Sequence, residues 1–230
     1  MRRFWDDRAR ENALYFVDNR LDYEHADTDA FWLGGEEDLG KLLDLFGTKI
    51  GQDDTVVDIG CGVGRLTRAA AAQAKAVIAL DVSEEMLAQA KELNPDLGNV
   101  TWVLADGTSL AGVGDTVADA CVSLVVFQHI PDPGITLGYI EDVGRVLKPG
   151  GWAALHVSND PAAHRRRPGL GARLRAMAGR APRGQAHPAW LGSAVEIAEA
   201  GRAARRGGAE LVDVVGEGTQ FCALLIRRPA

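Results

Sequence analysis

The chain has 230 residues, 47% hydrophobic and 25% charged, so it can bury a full core and is not disordered as a whole. A formal net charge of −7 excludes an overall basic surface for nucleic acid. The longest uncharged stretches, Ala120 to Pro131 and Gly184 to Val195, are far shorter than the roughly 20 apolar residues of a membrane span. Met1 to Asp7 lacks the apolar core of a secretory signal. Cys61, Cys121 and Cys222 fit neither a disulfide framework nor a CxxC metal site, so the reducing cytoplasm is the expected setting.

Residues 1–33 hold seven of the 14 aromatics, among them Phe4, Trp5, Phe16 and Trp32. The division this suggests is an aromatic cap segment at 1–35 and a main domain at 36–230. Helical spacing of Leu39, Leu42, Leu43 and Phe46 predicts a helix from Glu36 to Phe46. Strands and helices then alternate. Strands are predicted at Thr55–Ile59, Ala76–Asp81, Asn99–Leu104, Asp119–Val126 and Trp152–Val157. Helices are predicted at Gly64–Ala74, from the N-cap Ser83 to Leu93, and at Gly134–Leu147, which Lys148-Pro149-Gly150-Gly151 stops and turns.

The segment 158–192 reads as an insertion. Within Asp160 to Arg183 there are seven Arg against one acid, with a short helix predicted near Ala172 to Met177. Ser193 and Glu196 have capping-box spacing for a helix that closes at Arg205, Arg206 and Gly207-Gly208. Glu210–Val215 and Gln220–Ile226 read as an antiparallel hairpin. The predicted fold is α/β: a doubly wound, seven-stranded, mostly parallel sheet with a C-terminal antiparallel hairpin.

The strongest chemical signal is Asp58-Ile59-Gly60-Cys61-Gly62-Val63-Gly64, between a strand and a helix. Glycines there let a ligand approach the backbone. Their alternate spacing differs from the dinucleotide G-x-G-x-x-G, and a carboxylate at Asp58 repels a pyrophosphate but attracts an ammonium group. This argues against a nicotinamide dehydrogenase. Asp81, at the end of the second strand, is placed to accept both hydroxyls of a ribose. Asp106, with Gly107 beside it, is placed to accept the exocyclic amine of an adenine, although Asp-Gly is also a common turn.

These residues together resemble the class I S-adenosylmethionine-dependent methyltransferases over about residues 36–157. Val77 to Ser83, Leu104 to Gly107, Val126 to Pro131 and Leu147 to Gly151 are similar to the later motifs of that family. The resemblance implies S-adenosylmethionine as cofactor. It places Gly60, Cys61 and Gly62 under the methionine moiety, Asp58 toward its ammonium and Asp81 on the ribose. Val82 and Met86 would flank the adenine, Asp106 and Gly107 would read its edge, and the backbone of Leu124 would meet the amino-acid part. Arg65 would either reach the carboxylate or lie at the surface, the surface being preferred.

His129 follows the fourth strand, at the carboxyl edge where doubly wound sheets bind ligands, and is the candidate catalytic base. A loop histidine that only packs is the alternative. If it is the base, turnover should rise with pH through the ordinary imidazole range. His156, inside the fifth strand, reads as sheet or pocket lining, and no metal-ligand spacing is visible. The implied activity is methyl transfer to a small-molecule acceptor at oxygen or nitrogen, with the aromatic cap suiting a ring-bearing molecule. The alternatives are an RNA or protein acceptor, supported only by the Arg-rich run, and a cofactor-binding accessory protein without turnover. No membrane partner is expected, and homodimerisation is left open.

Overall fold

The computed structural model describes residues 1–165, 169, 171, 176 and 181–230. Two helices, α1 (Arg2–Val17) and α2 (Thr28–Leu45), precede β1 (Thr55–Ile59). The chain continues through α3 (Arg65–Ala71), β2 (Ala76–Asp81), α4 (Glu84–Leu93), β3 (Val100–Leu104) and β4 (Ala118–Ser123). A 3-10 turn at Phe127–His129 leads to α5 (Pro133–Val146) and β5 (Leu147–Val157). A second 3-10 turn at Ala163–Arg165 and the short α6 (Pro188–Leu191) come before α7 (Ile197–Arg206), β6 (Glu210–Val215) and β7 (Cys222–Arg227).

The strands form one seven-stranded sheet in the order β3-β2-β1-β4-β5-β7-β6. The first five pair in parallel, and β7 runs antiparallel to both β5 and β6. Alternation along the central strands feeds two cores. Val56, Val77, Val122 and Ala154 meet Leu39, Leu43, Leu66 and Ala70 of α2 and α3 on one face. Val57, Ile59, Cys121 and Leu155 meet Ile140 and Val143 of α5 and Ala200 and Ala203 of α7 on the other. Central strands buried on both faces are near-continuous apolar runs, which is why they were legible in the sequence. A third, smaller cluster joins Ala9 and Ala13 of α1 to Phe31, Val63 and Met86, so the N-terminal segment is packed onto the sheet's carboxyl edge.

Several elements differ from their predicted form. The helix expected from Glu36 begins at Thr28, capped by Asp27, whose side chain accepts from Asp29 and Ala30 N–H. Within it, Gly35 marks a close crossing: a Cβ there would lie 2.4 Å from the carbonyl oxygen of Arg65. Lys148 to Gly151 does not separate α5 from its strand, because β5 already starts at Leu147 and takes an irregular register against β4. Ser193 caps nothing; its Oγ donates instead to the Ile130 carbonyl at 2.7 Å, and the helix begins at Ile197. The helix expected near Ala172 to Met177 and most of the run from Arg165 to Arg183 fall outside the described residues. Ser83 does cap α4, accepting from Met86 N–H at 3.1 Å.

The difference that matters most is at β4. It ends at Ser123, three residues before the predicted Val126. The chain then turns through Val125, whose φ of 59° is left-handed, and enters the 3-10 turn that carries His129. Among the described residues, no helix is long and apolar enough to cross a membrane. No group of three or more His, Cys, Asp or Glu among them could hold a metal ion.

Candidate functional site

The carboxyl ends of β1, β2 and β4 open into a cavity that is also lined by Trp5, Phe16 and Val17 of α1. Its floor is the β1–α3 turn. Gly60 has φ 76°, and a Cβ there would lie 2.4 Å from a methyl of Val126. Both demands exclude a side chain. The N–H groups of Gly60 and Cys61 donate to the Leu80 carbonyl at 2.8 and 2.9 Å, tying the turn to β2.

Two carboxylates stand at this floor. Asp58 is 2% exposed, and its Oδ2 accepts from Thr67 Oγ1 at 2.6 Å. Burial, with the charge of Asp81 adding to it, pushes its pKa up to about 6. Asp81 accepts from Gly62 N–H at 2.9 Å on one oxygen and from Ser83 N–H at 2.8 Å on the other. Burial raises its pKa, against the pull of these backbone donors. A carboxylate offers about four acceptor sites, so capacity for two hydroxyl donors remains. Val82, Met86, Ala105, Gly107 and Leu124 also line the cavity and give it apolar surface.

Asp106 is not part of this cavity. Its carboxylate is exposed and folds back on its own loop, accepting from Thr108 and Ser109 N–H and from Ser109 Oγ. Desolvation pushes its pKa up, but those donors together hold it below the usual carboxylate value. The Asp-Gly turn is formed, and Gly107 lines the cavity.

Arg65 is not at the surface. It is 4% exposed and lines the cavity. Its Nη1 lies 2.6 Å from Asp38 and 3.5 Å from Asp18, and Arg20 pairs with the same two acids at 2.6 and 2.5 Å. Burial works against ionisation of Asp18 and Asp38, but Arg20 and Arg65 hold both carboxyls below their usual range. This network ties the end of α1, the middle of α2 and the start of α3 together. Nothing local in the sequence pairs residues 18, 20, 38 and 65.

Above the floor, His129 sits under the N-terminal segment. Its Nδ1 lies 2.8 Å from the carbonyl oxygen of Trp190, which can only accept, so Nδ1 carries the proton and Nε2 accepts from Gln128 Nε2 at 3.3 Å. Burial pulls the pKa down to about 4, the Trp190 contact opposing and His164 adding to the fall. Aromatic rings surround the imidazole. Trp5 meets it edge-on at 5.5 Å, Trp190 lies at 5.2 Å, and Phe16 meets Trp190 at 5.7 Å. Thus α1 and α6, from the two segments outside the regular βα repeat, converge over one histidine. Trp190 had no sequence signal of its own. α1 is kinked at Asn12, whose side chain accepts from Tyr15 N–H and donates to the Tyr23 carbonyl, turning Phe16 and Val17 toward the cavity.

Known proteins resemble the chain in sequence and fold. Residues 57–155 match the methyltransferase domain family. The ubiquinone biosynthesis O-methyltransferase of Nitrosomonas europaea is 31% identical over 46% of this chain and 45% of its own length. The demethylmenaquinone methyltransferase of Tropheryma whipplei is 32% identical over 46% and 42%. The chain therefore spans about half the length of the curated relatives it matches. Among solved structures, an S-adenosylmethionine-dependent methyltransferase from Mesorhizobium loti superposes with a TM-score of 0.64 at 23% identity, over 86% of this chain and all of its own. A chain from the complex of the Haloferax volcanii Trm112 methyltransferase activator with a methyltransferase gives 0.67 at 19% identity, over 98% of both. A match to the methyltransferase domain family over residues 57–155, and a parallel sheet closed by an antiparallel hairpin, make the chain similar to the class I methyltransferases, whose methyl donor is S-adenosylmethionine.

Proposed function

We propose that this chain transfers a methyl group to a hydroxyl oxygen on a small, ring-bearing molecule. The observation that carries this reading is His129: a neutral imidazole that lines the cavity beside Trp5 and Trp190, its acceptor Nε2 held only by a long 3.3 Å contact from Gln128 Nε2. A flat aromatic surround suits a ring, and an acceptor nitrogen suits an O–H. The Nitrosomonas europaea relative is by name an O-methyltransferase, which agrees.

The residues fit S-adenosylmethionine, which when bound supplies a methyl group already activated on a sulfonium. The Gly60 turn leaves no side chain between backbone and ligand. Asp81 keeps two acceptor sites for ribose hydroxyls, and Val82 and Met86 give the adenine an apolar shelf. Asp58 meets the ammonium group. The acceptor hydroxyl replaces the Gln128 amide on His129 Nε2, which orients its oxygen, and the aromatic cover excludes water from the cavity.

Asp81→Ala is expected to weaken S-adenosylmethionine binding by about ten- to a hundredfold, the usual loss for paired charge-assisted bonds. Titration calorimetry on parent and variant measures it, and equal affinities would remove Asp81 from the site. Asp58 makes binding pH-dependent. Its folded pKa of about 6 lies above the ordinary value, so ionising it destabilises the free protein as pH rises toward 6. An ammonium group beside it favours the ionised form. Affinity should therefore fall below pH 6, by at most about tenfold per unit. Asp58→Asn should abolish that slope.

The activity itself is tested by following S-adenosylhomocysteine formation with catechol- and hydroquinone-type phenols, aryl amines, bulk tRNA and a lysine-rich protein. Turnover on phenols supports the proposal. Turnover confined to tRNA or protein overturns it, and cofactor binding without turnover on any class makes the chain an accessory protein.

A further inference from the structure

Val125 is where the chain leaves β4, and its φ of 59° is left-handed. A β-branched residue there is a conformational outlier that persists only when its surroundings impose it. Its backbone N–H donates to Nδ1 of His156, on neighbouring β5, at 3.1 Å. His156 is 4% exposed, and Phe221 stacks on its ring at 5.6 Å with 29° between planes. Because Nδ1 accepts, the ring proton is on Nε2, and that atom finds no partner among the described residues. A position needed only for packing would be better filled by an apolar side chain, which leaves no buried donor unpaired. The imidazole is retained at that cost for a single lone pair.

That lone pair holds a turn with two consequences. The methyls of Val126 come to rest over Gly60, 2.4 and 2.5 Å from where a Cβ would stand. The 3-10 turn then starts from Val126, whose carbonyl accepts from His129 N–H at 2.9 Å, and this aims His129 at the cavity. We propose that His156 is a positioning residue: its Nδ1 pins the left-handed turn at Val125, which sets Val126 over the glycine turn and His129 over the cavity. Its consequence for ligand binding rests on the methyltransferase reading; the pinning itself does not.

The test is a double-mutant cycle with His156→Leu, His156→Asn, Val125→Gly and the pair His156→Leu/Val125→Gly. Each protein is assayed for S-adenosylhomocysteine affinity by calorimetry and for its unfolding temperature without ligand. His156→Leu should weaken affinity by about tenfold or more and lower the unfolding temperature. His156→Asn, whose side-chain oxygen reaches the place of Nδ1, should stay within about threefold of the parent. In the Val125→Gly background the leucine change should cost less than about threefold, because glycine holds the same turn without an anchor. An equal leucine effect in both backgrounds, or an asparagine variant as impaired as the leucine one, overturns the proposal. If His156→Leu does not fold, folding of the Leu/Gly pair supports it and failure of both overturns it. A parent that binds no S-adenosylhomocysteine sinks the methyltransferase reading, and the ligand-free unfolding temperatures still decide the role of His156.

Discussion

Replacing His129 with alanine is expected to lower methyl transfer about a hundredfold, the low end for loss of a general base, while cofactor affinity stays nearly unchanged. The low end applies because burial holds the imidazole pKa at about 4, which makes Nε2 a weak proton acceptor. The sequence alone led to a rate that rises through the ordinary imidazole range. The structure moves that transition: the His129-dependent rate should be flat from about pH 5 to 8 and fall only as pH approaches 4. A flat profile is therefore compatible with a proton-accepting role, and the size of the alanine effect decides instead. A loss within about threefold would return His129 to packing. A second readout follows from linkage. The unfolded chain takes up a proton near pH 6.5 and the folded site does not, so His129 lowers stability as pH falls from 6.5 to about 4. The variant should lose stability less steeply than the parent across that window.

Arg65→Met is expected to destabilise the protein by about 3 kcal/mol, since it removes one cation from two buried carboxylates and leaves only Arg20, which is half-exposed. For a chain of this size that is a fall in Tm of roughly 10 °C. The pH dependence separates charge from packing. Asp18 and Asp38 have lowered pKa values in the fold, so their pairing stabilises above the ordinary carboxylate pKa and is lost as pH falls through the folded values. The difference between parent and variant should accordingly be greatest near neutrality and shrink in acid. Thermal unfolding at pH 7 and near pH 3 measures this. A constant difference would assign the loss to the buried stem of Arg65, which packs against Gly35. The same network anchors α1, so the variant should also loosen the cover over His129.

What the sequence determined by itself was local and periodic. The parallel strands are short apolar runs, the glycines from Gly60 to Gly64 announce a backbone that a ligand can approach, and Ser83 caps its helix through a neighbour three residues away. Those features depend on residues close in the chain, so their spacing identifies them and, with them, the fold and the cofactor. The tertiary structure alone decided the rest, because each remaining case is a competition between distant partners. Arg65 reads as a surface arginine until Asp18 and Asp38 arrive from two other helices. That Asp106 shares its oxygens with its own loop is visible only in the fold. His129 has an ordinary imidazole pKa in the sequence and about 4 in the fold, since burial outweighs the opposing hydrogen bond to the carbonyl of Trp190, sixty-one residues away, which fixes the proton on Nδ1. The left-handed turn at Val125 has no sequence signature, because a β-branched residue does not choose it; His156, thirty-one residues further along, imposes it from the adjacent strand.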